Sequence, residues 1–204
     1  MKLTRALPAA ILPFTAAAAT SAADIIKIVA PGSVQCAAAA APDCRTADQA
    51  APFLIDSMAK YEVLTYNEIA AVLSLMAFES VDFKFKHNVS PGRPGQGTAN
   101  MQMDKFNLEY AKSLPGVKDK VADVKSVDGL DKDKLNEILA LVTPDEYNFG
   151  SGPWFYATKC GSAHAALVAD LDKGFEAYMQ CVGVTVTPER KAYLTRAKQA
   201  FGLA

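Results

Sequence analysis

The chain has 204 residues, of which 50% are hydrophobic and 21% charged, and its formal net charge is −1 at pH 7. These values are typical of a globular protein with one domain. Because the net charge is close to zero, composition gives no reason to expect nucleic acid or an anionic membrane surface as a partner.

The N-terminus has the form of a secretory signal peptide. A basic start, Met1–Arg5, precedes an apolar run from Ala6 to Ala19, and small residues follow at 20–23. The apolar run contains two prolines and is too short to span a bilayer. We therefore predict that residues 1–23 are cleaved, that the protein is secreted and extracellular, and that residues 24–204 form one domain. No later stretch reaches the roughly 18 consecutive apolar residues of a spanning helix, so we expect no membrane partner.

Four cysteines, Cys36, Cys44, Cys160 and Cys181, can form disulfides in an exported protein. The sequence allows three pairings, and we favour Cys36 with Cys44 and Cys160 with Cys181. A straight helix between the last two would hold them roughly 28 Å apart at 1.5 Å per residue, beyond the reach of a disulfide. The chain must then turn, and a break at 170–174 predicts two short antiparallel helices. The spacing fits no zinc site, and we expect no metal and no cofactor.

The first part of the domain is predicted to be helical. Residues 24–45 are Ala-rich and predict a short helix followed by a disulfide-closed loop. A second helix covers Thr46 to about Tyr61, with Pro52 in its first turn or at its start.

The next helix is the most apolar segment of the domain. Thr65 and Glu68 have the spacing of a capping box, which predicts a helix start. From there to Phe78, Ser74 is the one polar residue, so no solvent-facing side remains. A helix that is apolar on all sides is buried at the centre of a domain.

The rest of the chain is predicted to be helical apart from one strand-like stretch. Val81, Phe83 and Phe85 alternate with polar residues, which is the pattern of a half-buried strand. The Pro- and Gly-rich run 90–97 indicates a loop. Four helices are predicted after it: residues 104–114, 116–126, 131–142 capped by Asp131 or Asp128, and a last helix capped by Thr187, with Pro188 first, ending before Gly202. The fold class is therefore mainly α, with a small β or loop region.

Glu79 closes the apolar helix. Burial penalises a charged carboxyl group, and so does the negative end of the helix dipole, so both favour a protonated Glu79 near neutral pH. A carboxyl group that keeps its proton can act as a general acid. The alternative is that the helix has ended by Ser80 and that Glu79 turns into water.

Three short motifs resemble the active-site signature of the soluble lytic transglycosylases and goose-type lysozymes. They are Glu79-Ser80, then Met101-Gln102 after a Gly-rich loop, then Tyr147-Asn148, in the order of the family's Glu-Ser, Gly-Leu-Met-Gln and Ala-Tyr-Asn motifs. The resemblance covers roughly residues 65–160. It departs from the family at Ala99-Asn100, where Gly-Leu is usual, and at Glu146, where Ala is usual.

The resemblance implies a lysozyme-like domain and a role for each matching residue. Glu79 matches the catalytic general acid, and Asp104 matches an aspartate that helps to position water in the goose-type enzymes. The substrate-binding residues that it implies are Ser80, Met101, Gln102, Tyr147 and Asn148. For Asp104, a cap of a helix that begins at Lys105 is an equal alternative.

Cleavage of a glycosidic bond needs a proton donor and support for an oxocarbenium-like transition state, which two carboxylates provide. We therefore predict a secreted, monomeric glycosidase of the lysozyme or lytic transglycosylase type. Its substrate would be a polysaccharide with β-1,4-linked amino sugars: peptidoglycan, chitin or chitosan. The runner-up is a secreted, non-catalytic protein with a lysozyme-like fold that binds glycan or protein. A third hypothesis is a structural helical protein without a cleft beside Glu79.

Overall fold

The fold is mainly α-helical, as predicted. The computed structural model describes residues 20–40 and 42–203, so residues 1–19 of the predicted signal peptide lie outside this range. Residues 20–23, which also belong to the predicted signal peptide, are described, and Ser21 caps a helix that begins at Ala22. In the described part, the α-helices are α1 (Ala22–Val29), α2 (Ala47–Lys60), α3 (Tyr66–Glu79), α4 (Asp104–Ser113), α5 (Lys132–Val142), α6 (Asp145–Asn148), α7 (Ser151–Lys159), α8 (His164–Ala169), α9 (Leu171–Val182) and α10 (Pro188–Phe201). Short 3-10 turns occupy Pro31–Val34, Ala38–Ala40, Lys118–Val121 and Gly161–Ala163. The β-structure of these residues is limited to isolated bridges from Gly97 to His87 and to Gln102.

Helix α3 lies at the centre of the molecule. Its first turn is the predicted capping box: the Thr65 hydroxyl accepts from the Glu68 backbone N–H, and the Glu68 carboxylate accepts from the Thr65 N–H. Every residue from Ala70 to Ala77 is buried. Helix α10 packs along α3, and α1, α7, α8 and α9 also contact it. The apolar helix therefore occupies the core, as its composition requires.

Both favoured disulfide pairings are confirmed. Cys36 pairs with Cys44 and Cys160 with Cys181, with Cα–Cα distances of 5.8 and 5.7 Å. The predicted break between the second pair lies at Asp170, whose carboxylate caps α9 by accepting from the Lys173 N–H. Helices α8 and α9 pack against each other. Gly174 allows this, because a Cβ there would lie 2.3 Å from the Leu167 Cα.

The predicted start signals of two later helices are also confirmed. Asp131 caps α5 by accepting from the Lys134 N–H. Thr187 caps α10, Pro188 is its first residue, and Gly202 ends it with φ of 65°. Such a left-handed C-terminal residue is usually glycine, because glycine has no Cβ to clash.

Two helix predictions are wrong in detail. Pro52 lies inside α2, beyond its first turn, because the Thr46–Gln49 capping box places the helix start further upstream. Of the helix predicted at 116–126, one 3-10 turn at Lys118–Val121 forms. The charged residues of this segment face solvent, while Val117 and Val121 are buried.

The predicted strand at 81–86 is also wrong. Val81, Asp82 and Phe83 have φ angles of 53°, 60° and 63°, so the chain makes a left-handed turn there. The Ser80 hydroxyl holds the turn: it donates to the Met76 carbonyl at 2.7 Å and accepts from the Phe83 N–H at 2.9 Å. Three consecutive non-glycine residues in this region are strained, and the surrounding contacts must stabilise them.

Among residues 20–40 and 42–203, none of the helices combines the length and the apolar composition that crossing a bilayer requires.

Candidate functional site

Glu79, the predicted general acid, is held in an ion pair. Its Oε1 lies 2.8 Å from Nη2 of Arg190 on α10, and the two side chains are 21% and 14% exposed. The Arg190 guanidinium also lies 4.5 Å from the centre of the Phe78 ring. A general acid must turn a carboxyl oxygen toward the leaving group, and here Oε1 is held by Arg190. Glu79 therefore neither turns into water nor stands free beside a cleft.

Tyr178, on α9, lies close enough to this carboxylate to be affected by its charge. Among the residues that the structure describes, its buried hydroxyl has no hydrogen-bond partner, and neither does Nε of Arg190. Burial raises the pKa of Tyr178, and the charge of Glu79 raises it further. Helices α9 and α10, which carry Tyr178 and Arg190, both pack against α3.

The loop before α4 forms a buried polar network around Gln102. The Gln102 amide donates to Oδ1 of Asn107 at 2.9 Å and accepts from the Asn100 amide at 3.3 Å. Asn107 in turn donates to the Gly95 carbonyl at 2.7 Å. Gln102 is 5% exposed, so its amide is used inside the loop rather than offered to a ligand. Met101 precedes it with φ of 47°.

Two of the three sequence motifs meet at this loop. The Asn148 side chain accepts from the Ala99 N–H at 2.9 Å, which joins α6 to the Gln102 loop. Within the described residues, no hydrogen bond links Glu79 to Gln102 or Asn148. Asn148 is thus bonded to the loop that carries Gln102, while Glu79 is paired with Arg190.

Asp104 is the first residue of α4, and Met103 occupies the cap position. Its carboxylate accepts from the Lys105 N–H at 2.7 Å. Asp104 lines a cavity of about 370 Å³ with Lys105, Leu108 and the segment 125–128. Glu79 and Tyr147 are not among the residues that line this cavity. The two predicted catalytic carboxylates are therefore not brought together there.

Tyr147 lines a different pocket, between α2 and α6. We call it the tyrosine pocket; its volume is about 270 Å³, and it is lined by Phe53, Asp56, Ser57, Lys60, Tyr61, Tyr110, Glu146, Tyr147 and Gly150. The Tyr110 hydroxyl donates to the Tyr147 carbonyl at 3.0 Å. A hydrogen bond with Glu146 raises the pKa of Tyr147, helped by burial and by the charge of Glu146. The Tyr147 phenol therefore stays neutral across the physiological range and can donate.

The sequence analysis did not identify Arg190, which pairs with Glu79, or the α2 residues that line the tyrosine pocket beside Tyr147. Arg190 follows Glu79 by 111 residues, and no local pattern relates the two. The α2 residues of the tyrosine pocket could have been found from a pattern in the sequence. Phe53, Ser57 and Lys60 recur at helical spacing, which places them on one face of α2. Among the described residues, no group of three or more His, Cys, Asp or Glu side chains is placed to hold a metal ion.

Comparison with known proteins gives one relative of high identity. The chain is 52% identical over 157 residues to a bifunctional dioxygenase (DOX)-epoxy alcohol synthase (EAS) of Fusarium oxysporum (strain Fo5176). The aligned stretch covers 76% of this chain and 12% of that protein, so the chain spans a small part of its relative. No protein-family model matches the chain, and no solved structure matches it.

This relative corrects the predicted enzyme class. Its name gives a dioxygenase and an epoxy alcohol synthase, and neither is a glycosidase. The prediction of an enzyme of the lysozyme or lytic transglycosylase type is therefore wrong. The prediction had also assumed a carboxyl group without a cationic partner, whereas Glu79 pairs with Arg190.

Proposed function

We propose that this protein is a secreted, non-catalytic glycan-binding protein with a lysozyme-like arrangement of helices, and that a sugar binds in the tyrosine pocket. The observation that carries the proposal is the lining of this pocket. Aromatic side chains form much of its wall, and exposed charged side chains lie at its rim.

The two kinds of lining residue match the two kinds of surface on a sugar ring. The C–H face of a pyranose is apolar and packs on aromatic rings, which Phe53, Tyr61 and Tyr147 supply. The ring hydroxyls need donors and acceptors. Asp56 and Glu146 have carboxylate acceptors, and Lys60 has an ammonium donor.

The pocket wall is held in place before any ligand binds. The Tyr110 hydroxyl fixes the Tyr147 backbone at 3.0 Å. The Ser57 hydroxyl, on α2, reaches the Phe149 carbonyl, just after α6, at 3.3 Å. Phe53 stacks on Phe149 with their ring centres 6.3 Å apart. A preformed wall lowers the entropy that binding must overcome.

The volume suits a short ligand. At about 270 Å³ the pocket is close to the lower bound of roughly 300 Å³ for small-molecule sites. We infer that it takes one sugar unit, such as the end of a chain or one residue of an exposed polymer.

The lysozyme-like arrangement is proposed on the motif order and on one contact. Asn148 of the third motif bonds to Ala99 in the loop of the second motif. The dioxygenase and epoxy alcohol synthase activities in the relative's name belong to a protein of which the aligned stretch is 12%. The binding role proposed for this chain does not depend on those activities.

The proposal is tested by binding to defined sugars. The purified protein is titrated calorimetrically with oligomers of chitin, chitosan and peptidoglycan. Binding to one of these is expected, and Tyr147→Ala and Tyr61→Ala should each weaken it about tenfold, the equivalent of about 1.4 kcal/mol per lost stacking contact.

Tyr66→Ala is the matched control, because Tyr66 is 64% exposed and does not line the tyrosine pocket. It should leave sugar binding unchanged. Absence of binding to all three oligomer series, or equal effects of the three tyrosine substitutions, would overturn the proposal.

A further inference from the structure

A third cavity, lined by apolar residues, lies on another face of the molecule. Its volume is about 300 Å³, and its walls come from α1, α2, the start of α3 and the end of α10. Ile25, Leu54, Met58 and Phe201 are among its lining residues, none of which is charged or carries a polar side chain. We call it the apolar cavity. It shares no lining residue with the tyrosine pocket, so its role is independent of the proposed sugar binding.

The helices around this cavity are fixed independently of any ligand. Ser21, Thr46 and Thr65 each form a capping box at the start of α1, α2 and α3. Each box satisfies backbone donors at a helix start and so fixes that end of a wall. The cavity walls are therefore built from helices with well-defined ends.

Contacts between the helices hold the walls of the apolar cavity in position. Lys27 on α1 pairs with Asp48 on α2 at 3.1 Å. Arg196 on α10 donates to the Val29 carbonyl of α1 at 2.9 Å. The Tyr66 and Phe201 rings, 5.7 Å apart, connect α3 to the end of α10. These links lie around the cavity, so the cavity does not need a ligand to keep its shape.

The cavity opens to solvent through apolar side chains. Ile55 and Leu64, which both line it, are 55% and 67% exposed. An apolar surface that runs from the interior to the exterior of a protein commonly marks a binding site. Because no charged or hydrogen-bonding side chain lines the cavity, a ligand must place hydrocarbon inside and keep any polar group in water at the mouth.

The volume sets the length of the hydrocarbon. An engineered cavity of about 150 Å³ holds benzene, with six carbons, so this cavity has room for roughly twelve carbons. We propose that the apolar cavity binds one aliphatic chain of about that length, as in a medium-chain fatty acid or fatty alcohol, with the polar end outside.

The test uses alcohols of increasing length, since they are uncharged and differ by methylene groups alone. Binding of octanol, decanol, dodecanol and hexadecanol to the purified protein is measured by displacement of a fluorescent apolar probe. Affinity should rise about fourfold per added methylene, from about 0.8 kcal/mol each, and level off near twelve carbons when the cavity is full. Dodecanoate should bind about as well as dodecanol, because no lining residue distinguishes the head groups.

Two substitutions at the mouth locate the site. Leu64→Asp and Ile55→Asp place a charge where the chain enters, and each should weaken dodecanol binding at least tenfold without unfolding the protein, because both side chains are largely exposed. Val168→Asp is the matched control: Val168 is 45% exposed on α8 and does not line the cavity. It should bind dodecanol like the unchanged protein.

Three results would overturn the proposal. The first is absence of dodecanol binding. The second is affinity that keeps rising through hexadecanol and does not respond to Leu64→Asp, which would indicate non-specific adsorption. The third is that the protein forms a concentration-dependent dimer or binds phosphatidylcholine vesicles, that Leu64→Asp abolishes this association, and that the same variant still binds dodecanol. The face would then serve a second copy or a lipid surface.

Discussion

Helix α3 carries a glutamate at each end, and the two carboxylates differ in the groups that hold them. Glu68, in the first turn, accepts from the Thr65 and Tyr156 hydroxyls at 2.7 and 2.8 Å, and its Oε1 lies 2.7 Å from His164 Nδ1. Glu79, in the last turn, has one charged partner among the described residues, Arg190. Glu68 is therefore held by several hydrogen bonds across the N-terminal turn of α3, and Glu79 by one ion pair that depends on α10.

The comparison shows that burial alone does not decide what a carboxyl group does. Burial raises the pKa of Glu68, but the hydrogen bonds from Thr65, Tyr156 and His164 together outweigh it, and the pKa lies below its ordinary value. A carboxylate with enough donors stays charged inside a protein. A glutamate at the end of an apolar helix thus cannot be identified as a general acid until the groups that donate hydrogen bonds to its carboxylate are known.

The largest expected effect comes from removing Glu68. Glu68→Ala should lower the free energy of unfolding by about 3 kcal/mol, because it removes several hydrogen bonds at once and leaves the Tyr156 hydroxyl without its acceptor. Urea denaturation measures this. Glu176→Ala, on an exposed face of α9, is the control and should change stability by less than about 0.5 kcal/mol. Equal losses in the two variants would contradict the structural role of Glu68.

At the other end of α3, a double-mutant cycle separates the ion pair from its parts. Arg190→Met should cost about 2 kcal/mol, because it leaves the carboxylate of Glu79 mostly buried without its partner. Glu79→Gln should cost less, and the double variant should recover about 1 kcal/mol relative to the sum of the two. Strict additivity of the two single changes would mean that the pair contributes no coupling.

Acid should weaken the Glu68 end through its carboxylate. Because its folded pKa lies below the ordinary value of 4.5, Glu68 contributes stability that is fully present above pH 4.5 and is lost as the pH falls through the folded pKa. Melting temperatures between pH 7 and pH 3 should therefore fall more for the unchanged protein than for Glu68→Gln. Asp145 has a lowered pKa as well, so the variant should keep part of the acid sensitivity. Parallel curves for the two proteins would exclude a Glu68 contribution.

The smallest expected effect is at His164. Its side chain is 59% exposed, so the contact with Glu68 is partly screened by water. His164→Ala should cost less than about 1 kcal/mol at pH 7. Thermal unfolding of His164→Ala and of Tyr156→Phe compares what the two side chains contribute to stability. Because Tyr156 is buried and His164 is exposed, Tyr156→Phe should lose more stability, and a larger loss for His164→Ala would contradict this order.

Local chemistry made a good part of the fold predictable. The caps at Thr65, Asp131 and Thr187 depend on residues within four positions of one another, so the sequence displays them directly. The break at Asp170 followed from the distance that Cys160 and Cys181 must close.

The features that the sequence could not supply depend on distant partners or on backbone conformation. The alternation of Val81, Phe83 and Phe85 resembles a strand, but the Ser80 hydroxyl and buried contacts hold residues 81–83 in a left-handed turn. The motif around Gln102 is compatible with a side chain that contacts a ligand or with one that is buried in the loop. The structure shows the second, because the Gln102 amide donates to Asn107 inside the loop. The pairing of Glu79 depends on a helix whose residues lie more than a hundred positions away.

The place of α10 has a consequence for how the protein is made. This helix covers α3 and supplies the arginine that pairs with Glu79, yet it is synthesised after every other helix described. Until it emerges, one side of the most apolar helix stays open to water, and exposed apolar surface in an incomplete chain promotes aggregation. A chain truncated before α10 would therefore be a substrate for quality control rather than a shortened working protein.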